Sequence, residues 1–353
     1  MKLQARDYQS FAVKSIWNYF AEGNKGNPLV AMPTGTGKSV VIALFIMGVL
    51  QSYPNTRIQV ITHVKELIQQ NYDKFVGIWP NAPAGIYSSG LGRKEVHNSV
   101  LFGGIGSVAK KAHIFGHVDL LLIDEAHLVN VKDATMYNKY IEALKQINPM
   151  LKVIGLTATP WRAGHGSIVE DALFTDICCD MTGVEPFNWL IKQGYLVPLV
   201  PAKTHFTLDT SGVSVRGGEF SSKELELKVN RSDITRRALK RTFEMASDRK
   251  SWLIFASGID HAKDIAQMLH DEFDTECGVV YSGMPDKGAG GRDEILERFK
   301  NGSLRCVVNN NILTTGFDHP GLDLIVCLRP TMSSVLWVQM LGRGTRPFFL
   351  HVN

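Results

Sequence analysis

Cysteine is scarce in this sequence, and none of it is arranged for a job. Cys178, Cys179, Cys277, Cys306 and Cys327 form no C-x-x-C pair and show no Cys/His ligand spacing, so these residues argue for reduced thiols and against zinc. Adjacent Cys178 and Cys179 are poorly placed to bridge each other, while Cys306 and Cys327 lie in apolar runs, where a free thiol behaves as a small core residue. Reduced thiols point to a cytoplasmic setting. A secretory h-region is also missing, since Arg6, Asp7 and Lys14 interrupt any apolar stretch near the start. The longest apolar run, Val40 to Leu50, is too short to cross a bilayer and reads as a buried helix. No fixed-period repeat or low-complexity tract occurs, which excludes a solenoid. Charge of one sign is not in excess either. The net charge of +4 leans toward a polyanionic partner but does not identify one.

What is present is an ordinary globular composition, 44% hydrophobic and 20% charged over 353 residues, enough for about two domains. In the front half, apolar runs at Leu29–Met32, Arg57–Thr62, Ser99–Phe102, Val118–Asp124 and Lys152–Thr157 read as strands. Helical patterns at Ser39–Gln51, Val64–Phe75 and Ala134–Ile147 separate them. Apolar strands without alternation, spaced by helices, predict an α/β fold with a parallel sheet covered on both faces. The same grammar returns in the back half. Strands are expected at Trp252–Ala256, Gly278–Tyr281, Arg305–Asn309 and Asp323–Cys327, with helices at Ile259–Leu269, Arg292–Lys300 and Ser334–Leu341. Between the halves, from Asp180 to Arg231, Pro186, Pro198, Pro201 and the Gly217-Gly218 pair loosen the pattern, and Thr210–Glu219 reads as a polar hairpin or loop. The expected organisation is therefore one domain over residues 1–180, a connecting segment over 181–231 and a second domain over 232–353.

Three segments carry chemistry. Met32-Pro33-Thr34-Gly35-Thr36-Gly37-Lys38-Ser39 follows a strand and opens a helix, as a phosphate-binding loop must. Gly35 and Gly37 let the backbone bend so that its N–H groups face a phosphate. Lys38 supplies a point charge to the β- and γ-phosphates, and the Ser39 hydroxyl can ligate Mg²⁺. The helix start adds a favourable potential for an anion. Methionine stands at position 32, where the commonest form of this loop has glycine. A glycine turn before a buried helix is the bland alternative. Asp124-Glu125-Ala126-His127 follows the apolar run that ends at Ile123. Asp124 is placed to hold Mg²⁺ through water, and Glu125 to orient and deprotonate an attacking water. Taken alone, such a pair is most often a solvated turn or helix cap. Far downstream, Gln339-Met340-Leu341-Gly342-Arg343-Gly344-Thr345-Arg346 puts Arg343 and Arg346 on one helix face. They could neutralise charge on a transferring γ-phosphoryl group, an arginine-finger role that contributes about 10³–10⁵-fold in rate. A solvated basic helix end is the competing view. Halves of one nucleotide site this far apart in the chain suggest an ATP-gated cleft between two lobes.

The ordered set of these segments with Gly155-Leu156-Thr157-Ala158-Thr159-Pro160 resembles a superfamily-two helicase or translocase of the DEAD/DEAH-box-like kind. It is most similar to the RadD-type DNA-repair helicases and their phage-encoded relatives, through Arg6-Asp7-Tyr8-Gln9, His63-Val64-Lys65-Glu66-Leu67 and Leu313-Thr314-Thr315-Gly316-Phe317-Asp318. The resemblance covers essentially the whole chain. It implies two RecA-like domains in tandem with ATP and Mg²⁺ as cofactors. The nucleic-acid partner would be DNA, single-stranded or forked, with RNA also possible. No membrane is expected as a partner, and the setting would be bacterial cytoplasm, or host cytoplasm for a phage protein. It further implies that Arg6 and Gln9 contact adenine, and that Thr157 and Thr159 couple ATP turnover to nucleic-acid grip. Asp318 would sense the ribose or the γ-phosphate side, and Gln339 completes the arginine motif. His127 would contact the arginine helix, with a satisfied structural histidine as the alternative. Backbone grip on nucleic acid is implied for His63, Lys65 and Ser107 in the first domain, and for Gly258 and Thr314 in the second. Basic clusters at Lys110-Lys111 and Arg236-Arg237 read as solvated surface.

The sequence departs from that pattern at its end. It stops at residue 353 with Phe348–Val352 as a candidate final strand and without the cysteine-rich tail of the RadD type. The second domain is therefore expected to be short at its end. A DNA helicase, a translocase on duplex DNA, an RNA helicase and a slow nucleotide-gated binding module all remain open on these residues. A small-molecule kinase would leave the distant arginines and the Gly155–Pro160 segment without a purpose.

Overall fold

The computed structural model describes residues 5–129, 135–162, 166–169, 173–202, 208–216, 218–230, 232–314 and 316–348. The chain divides into two compact units, Met1–Trp189 and Leu190–Asn353.

The first unit runs α1 (Asp7–Ala21), β1 (Pro28–Ala31), α2 (Lys38–Ser52), β2 (Ile58–Thr62), α3 (Lys65–Ile78), β3 (Ala84–Ser88), β4 (Arg93–Lys94) and β5 (Val100–Gly104). It continues through α4 (Ile105–Val108), α5 (Ala112–Phe115), β6 (Leu120–Asp124), α6 (Met136–Ile147), β7 (Lys152–Thr157), the short β8 (Trp161–Arg162) and β9 (Gly166–Ser167), and β10 (Asp176–Asp180). Helix α7 (Val184–Lys192) follows at the junction of the units. Eight strands make one sheet in the order β10-β1-β7-β6-β2-β5-β3-β4, in which only the β3–β4 edge pair is antiparallel.

Strands β1, β2, β5 and β6 are buried at every position, which is why their sequences read as unbroken apolar runs rather than alternating ones. Successive side chains still point to opposite faces. Leu29, Ile61, Leu101, Leu121, Ile123 and Val153 pack with Tyr137, Tyr140, Ile141 and Leu144 of α6. On the opposite face Phe102 meets Tyr72 and Phe75 of α3 at ring separations of 5.9 and 5.7 Å.

The second unit carries a hairpin, β11 (Val215–Arg216) and β12 (Glu219–Phe220), then α8 (Ser222–Val229), α9 (Ser232–Ala246), β13 (Trp252–Ala256) and α10 (Ile259–Phe273). It closes with β14 (Cys277–Tyr281), α11 (Arg292–Lys300), β15 (Cys306–Asn310), β16 (Leu324–Leu328) and α12 (Ser334–Leu341). Its parallel four-stranded sheet has the order β14-β15-β13-β16. Alternation along β13 decides the layers. Trp252, Ile254 and Ala256 pack with Leu239 of α9 and with Ala262, Ile265 and Leu269 of α10. Leu253 and Phe255 pack with Phe299 of α11 and Met340 of α12. Both units are thus parallel sheets covered by helices, the α/β architecture the sequence predicts.

Several elements escape the sequence reading. β3 and β10, the helix α9 and the full length of α1 are all found, and α7 and α8 lie inside the stretch read as a connection. β10 is a sheet edge with its residues mostly half-buried or exposed, so its pairing with β1 is set by tertiary context rather than by an apolar run. The polar segment at 210–219 overlaps an antiparallel strand pair that runs to Phe220. The candidate strand at 348–352 lies almost wholly outside the described residues. Among the described residues no helix is long and apolar enough to cross a membrane.

Gly155 shows how tightly the first sheet is packed. A Cβ there would lie 2.5 Å from Phe174 Cε1 and 2.7 Å from Leu29 Cδ1, both side chains being fully buried. Gly155→Ala is expected to destabilise the protein by about 1–3 kcal/mol through overpacking. Urea denaturation of the variant checks this, and an unchanged midpoint would mean the β1–β7 layer has slack.

Candidate functional site

In an open parallel sheet, ligands bind beyond the carboxyl ends of the strands, and in the first unit the chemistry-bearing segments gather there. The phosphate-loop candidate leaves β1, the acidic pair ends β6, and Thr157 ends β7. β1 and β6 flank β7. His63, Lys65 and Ser107 follow β2 and β5, whose ends Thr62 and Gly104 are in register.

The loop from Pro33 to Lys38 bends at Gly35 (φ 86°) and Gly37 (φ 82°), values that favour glycine over any residue with a Cβ. Gly37 caps the 15-residue helix α2 and accepts Val40 N at 2.9 Å. Lys38 and Ser39 are its first residues, where backbone N–H groups lack helical partners and attract an anion. The loop is held from behind. Thr36 is fully buried, its Oγ1 donates to Pro33 O at 2.7 Å, and its carbonyl accepts from Tyr8 Oη at 2.8 Å and Gln9 Nε2 at 2.9 Å. Gln9 Oε1 accepts from Arg6 N at 3.1 Å, and Arg6 Nη1 donates to Tyr8 Oη at 3.1 Å. Arg6 and Gln9, read from the sequence as adenine contacts, thus form with Tyr8 a brace that fixes the loop's shape. Thr34 in the same loop is half-buried.

Asp124 and Glu125 are 3% and 7% exposed. Asp124 Oδ1 accepts the Glu125 N–H at 3.0 Å, and Oδ2 accepts Asn71 Nδ2 from α3 at 2.9 Å. Burial pushes the Asp124 carboxyl up to about 6; the Glu125 charge adds to this, while Lys38 and the Asn71 hydrogen bond oppose it. A carboxylate raised by burial in this way is one that a bound cation would restore to its charged form. Asp124 and the Ser39 hydroxyl could hold Mg²⁺, which takes one or two protein ligands together with phosphate oxygens and water. Glu125 has left-handed backbone angles, φ 55° and ψ 51°, a conformation that costs about 1–3 kcal/mol at a non-glycine residue and collects at functional sites.

From Glu125 a buried polar chain leads to the next strand. His127 Nδ1 lies 3.4 Å from Glu125 Oε2 and 3.0 Å from Thr157 Oγ1. Thr157 Oγ1 in turn accepts Thr159 N at 3.0 Å and lies 3.2 Å from Thr159 O. His127, Thr157 and Thr159, three residues assigned to coupling, therefore form one connected unit with the acidic pair. On the neighbouring rim Ser107 Oγ accepts Ser89 N at 2.9 Å, His63 is exposed and Lys65 is half-buried.

The second unit gathers its own set. Arg343 Nη1 and Nη2 donate to the carbonyls of Phe317 at 2.5 Å and Thr314 at 2.8 Å. Arg346 pairs with Asp318 at 2.8 Å, both side chains about a third exposed. Gln339 is buried on α12. The arginines and the 313–318 segment, read separately from the sequence, are thus one constellation in which arginine shapes the loop. Asn309 Oδ1 accepts Leu313 N at 3.4 Å and supports the start of that loop.

Gly258 precedes α10, and the site there holds a surprise. Glu226 of α8 reaches over it, with Oε1 accepting Asp260 N at 2.9 Å and His261 N at 3.1 Å. A Cβ at Gly258 would overlap the Glu226 carboxylate, so glycine is what lets the two approach. His261 is neutral, its pKa lowered to about 4 by burial, and it lies 2.6 Å from Ser257 Oγ.

Asn71, Tyr8 and Glu226 touch the candidate segments and are not singled out in the sequence reading. Asn71 left a legible trace. It falls on the apolar stripe Leu67–Asn71–Phe75 of an amphipathic helix, where a polar residue needs a buried partner. Glu226 left none, because an acidic residue on a short polar helix looks solvated.

Residues 2–162 match the family described as "Type III restriction enzyme, res subunit", and residues 235–347 match the "Helicase conserved C-terminal domain". The chain is similar to "Putative ATP-dependent helicase IRC3" of Saccharomyces cerevisiae, 28% identical over 97% of this chain and 49% of that protein. It is also similar to the "51.5 kDa protein" of a Lactococcus phage, 26% identical over 90% of this chain and 62% of that protein. The chain thus spans less than two thirds of the length of these relatives. Among solved structures, LlaBIII, an ATP-dependent type ISP restriction-modification enzyme bound to DNA, aligns with a TM-score of 0.65 at 15% identity, over 99% of this chain and 27% of that one. Saccharomyces cerevisiae Dbp5 bound to RNA and ADP BeF3 aligns with a TM-score of 0.59 at 14% identity, over 96% and 80%. At such identities the likeness carries the fold, two RecA-like α/β units in tandem. On that fold the chain carries a region similar to a res subunit followed by a region similar to a helicase C-terminal domain.

Proposed function

We propose that this chain is a nucleic-acid-stimulated ATPase that couples hydrolysis to movement along DNA, as a helicase or translocase. The observation that carries the reading is the convergence of a braced phosphate loop with a buried Asp124–Glu125 pair, the latter tied through His127 to Thr157. In this reading the backbone N–H groups of Gly35 to Ser39 and the Lys38 ammonium bind the β- and γ-phosphates of ATP. Arg6 and Gln9 stand on the adenine side, beside their role as brace. Mg²⁺, held by Asp124 and Ser39, would supply positive charge that offsets charge developing between those phosphates. Glu125 accepts a proton from water as the water oxygen bonds to the γ-phosphorus and the bond to the β–γ bridging oxygen breaks, releasing ADP and phosphate. Arg343 and Arg346 serve the γ-phosphoryl group, and Asp318 and Gln339 serve the nucleotide from the same unit. His127, Thr157 and Thr159 relay the state of Glu125 to the segments that grip nucleic acid.

His63, Lys65, Ser107, Gly258 and Thr314 are proposed to hold the phosphodiester backbone. Such contacts position the strand and carry no base information. The likeness to a DNA-bound restriction enzyme and a phage protein supports DNA, and the resemblance to the RadD type supports a place in repair or phage replication. The RNA reading draws on Dbp5 and on the fact that backbone grip does not require a 2′-hydroxyl to be read.

Comparing ATPase rates with single-stranded DNA, duplex DNA, forked DNA and RNA tests the proposal directly. The largest stimulation is expected with single-stranded or forked DNA, and a rate indifferent to every nucleic acid would overturn it. Glu125→Gln should retain ATP binding and lose turnover by at least about 10²-fold, the lower end of what general-base catalysis contributes; unchanged turnover removes Glu125 from the mechanism. The anion already seated on α10 gives a third outcome. Glu226→Ala is expected to tighten DNA binding by about 3- to 10-fold at low salt, because a competing carboxylate leaves a helix N-terminus. A titration by fluorescence anisotropy checks this, and weaker binding would show that Glu226 only secures α10.

A further inference from the structure

Asp124 receives two hydrogen bonds of different origin. One comes from its own chain neighbour, Glu125 N, and cannot move independently of it. The other comes from Asn71 Nδ2 on α3, a separate element packed on the sheet. We propose that Asn71 is a positioning residue through which α3 sets the stance of the Asp124 carboxylate, and that nucleic acid held at the start of α3 acts on ATP hydrolysis by this route. The second clause rests on the function proposed above.

Three observations carry it. Asn71 is 1% exposed and lies on the core stripe of α3, so its amide is not there for solvent. Its Oδ1 is buried and has no hydrogen-bond partner among the described residues. A half-satisfied buried amide is a net cost to folding relative to an apolar side chain of the same shape, so packing alone does not account for it. The donated bond does. Finally, α3 begins at Lys65, directly after His63 and Val64. Asn71 follows six residues later, about 9 Å along a rigid helix. A displacement of well under 1 Å at Lys65 would carry the 2.9 Å bond past the length at which a hydrogen bond weakens steeply. Partners that orient a metal-binding side chain typically alter metal affinity or activity about 10–100-fold when removed.

The test uses the full chain with Asn71→Leu, which keeps the branched shape and removes the amide, and Asn71→Ser as a second variant in case the first fails to fold. Two readouts are taken on whichever variant retains wild-type circular dichroism. The first is the affinity for a fluorescent ATP analogue with and without Mg²⁺. The expected result is unchanged binding in the absence of metal and a Mg²⁺ concentration for half-effect raised about 10–100-fold. The second is the stimulation of ATPase by single-stranded DNA, expected to fall about 2- to 30-fold. A Lys65→Ala change should then add less in the variant than in the wild type, since the two residues lie on one route. Wild-type values of both readouts in the variant would overturn the inference. If the wild-type protein is itself not stimulated by nucleic acid, the functional proposal falls, while the Mg²⁺ dependence still decides the role of Asn71. Should both variants fail to fold, the residue is structural and the inference is overturned.

Discussion

A charged group at the end of a buried strand is the constraint around which the first unit is organised. Asp124 closes β6 with 3% of its surface exposed, and an isolated carboxylate there would be expensive in a medium that screens poorly. The surroundings answer that cost with two hydrogen bonds and with the field of Lys38, yet the carboxyl still titrates well above its ordinary range. The site is therefore under-compensated by the protein alone. A cation beside it would offset that cost.

The same logic explains why the support lies behind the loop rather than in it. A phosphate loop must leave its own N–H groups facing outward, so its shape has to be set through its carbonyls. Tyr8 and Gln9 both donate to Thr36 O, and α1 is thereby committed to the site although it carries no phosphate ligand. Glu125 is treated alike. Its left-handed backbone is strained, and the residues that follow it are fixed by His127 lying between Glu125 and Thr157. In the second unit arginine does the corresponding work, with Arg343 bonded to the carbonyls of Thr314 and Phe317 and Arg346 bonded to Asp318. A planar fork suits that task because its donors are fixed relative to one another.

How much of this was legible in the sequence follows from where each signal resides. Strands buried on both faces announce themselves, and Lys152–Thr157 and Trp252–Ala256 have the boundaries that their apolar runs predict. The loop at 33–38 and the acidic pair stand out as candidates because each is a local pattern, glycines with lysine in one short segment and adjacent carboxylates in another. Residues that act by reaching across the fold do not. Gln9 could be assigned to a nucleotide base by resemblance, but its bond to Thr36 spans 27 positions. Asn71 meets Asp124 across 53 positions. Edge strand β10 depends on β1 for its existence, and α8 is too short and polar to announce a partner.

Glu226 shows what that invisibility costs a purely local reading. Gly258 at the start of α10 looks like a place where backbone N–H groups await a phosphate, yet two of those N–H groups already hold a carboxylate from α8. A helix N-terminus accepts one anion at a time, and its potential is largely satisfied once a side-chain carboxylate arrives. Any phosphodiester that uses this terminus must first displace Glu226, whose helix is also tied to α10 by Asn230 Nδ2 donating to Asp264 Oδ2 at 2.7 Å. The affinity of such a site is the difference between two anions, not the attraction for one. Because a phosphodiester there would need the N–H groups that Glu226 occupies, a small shift of α8 would change its binding without altering any residue that touches it.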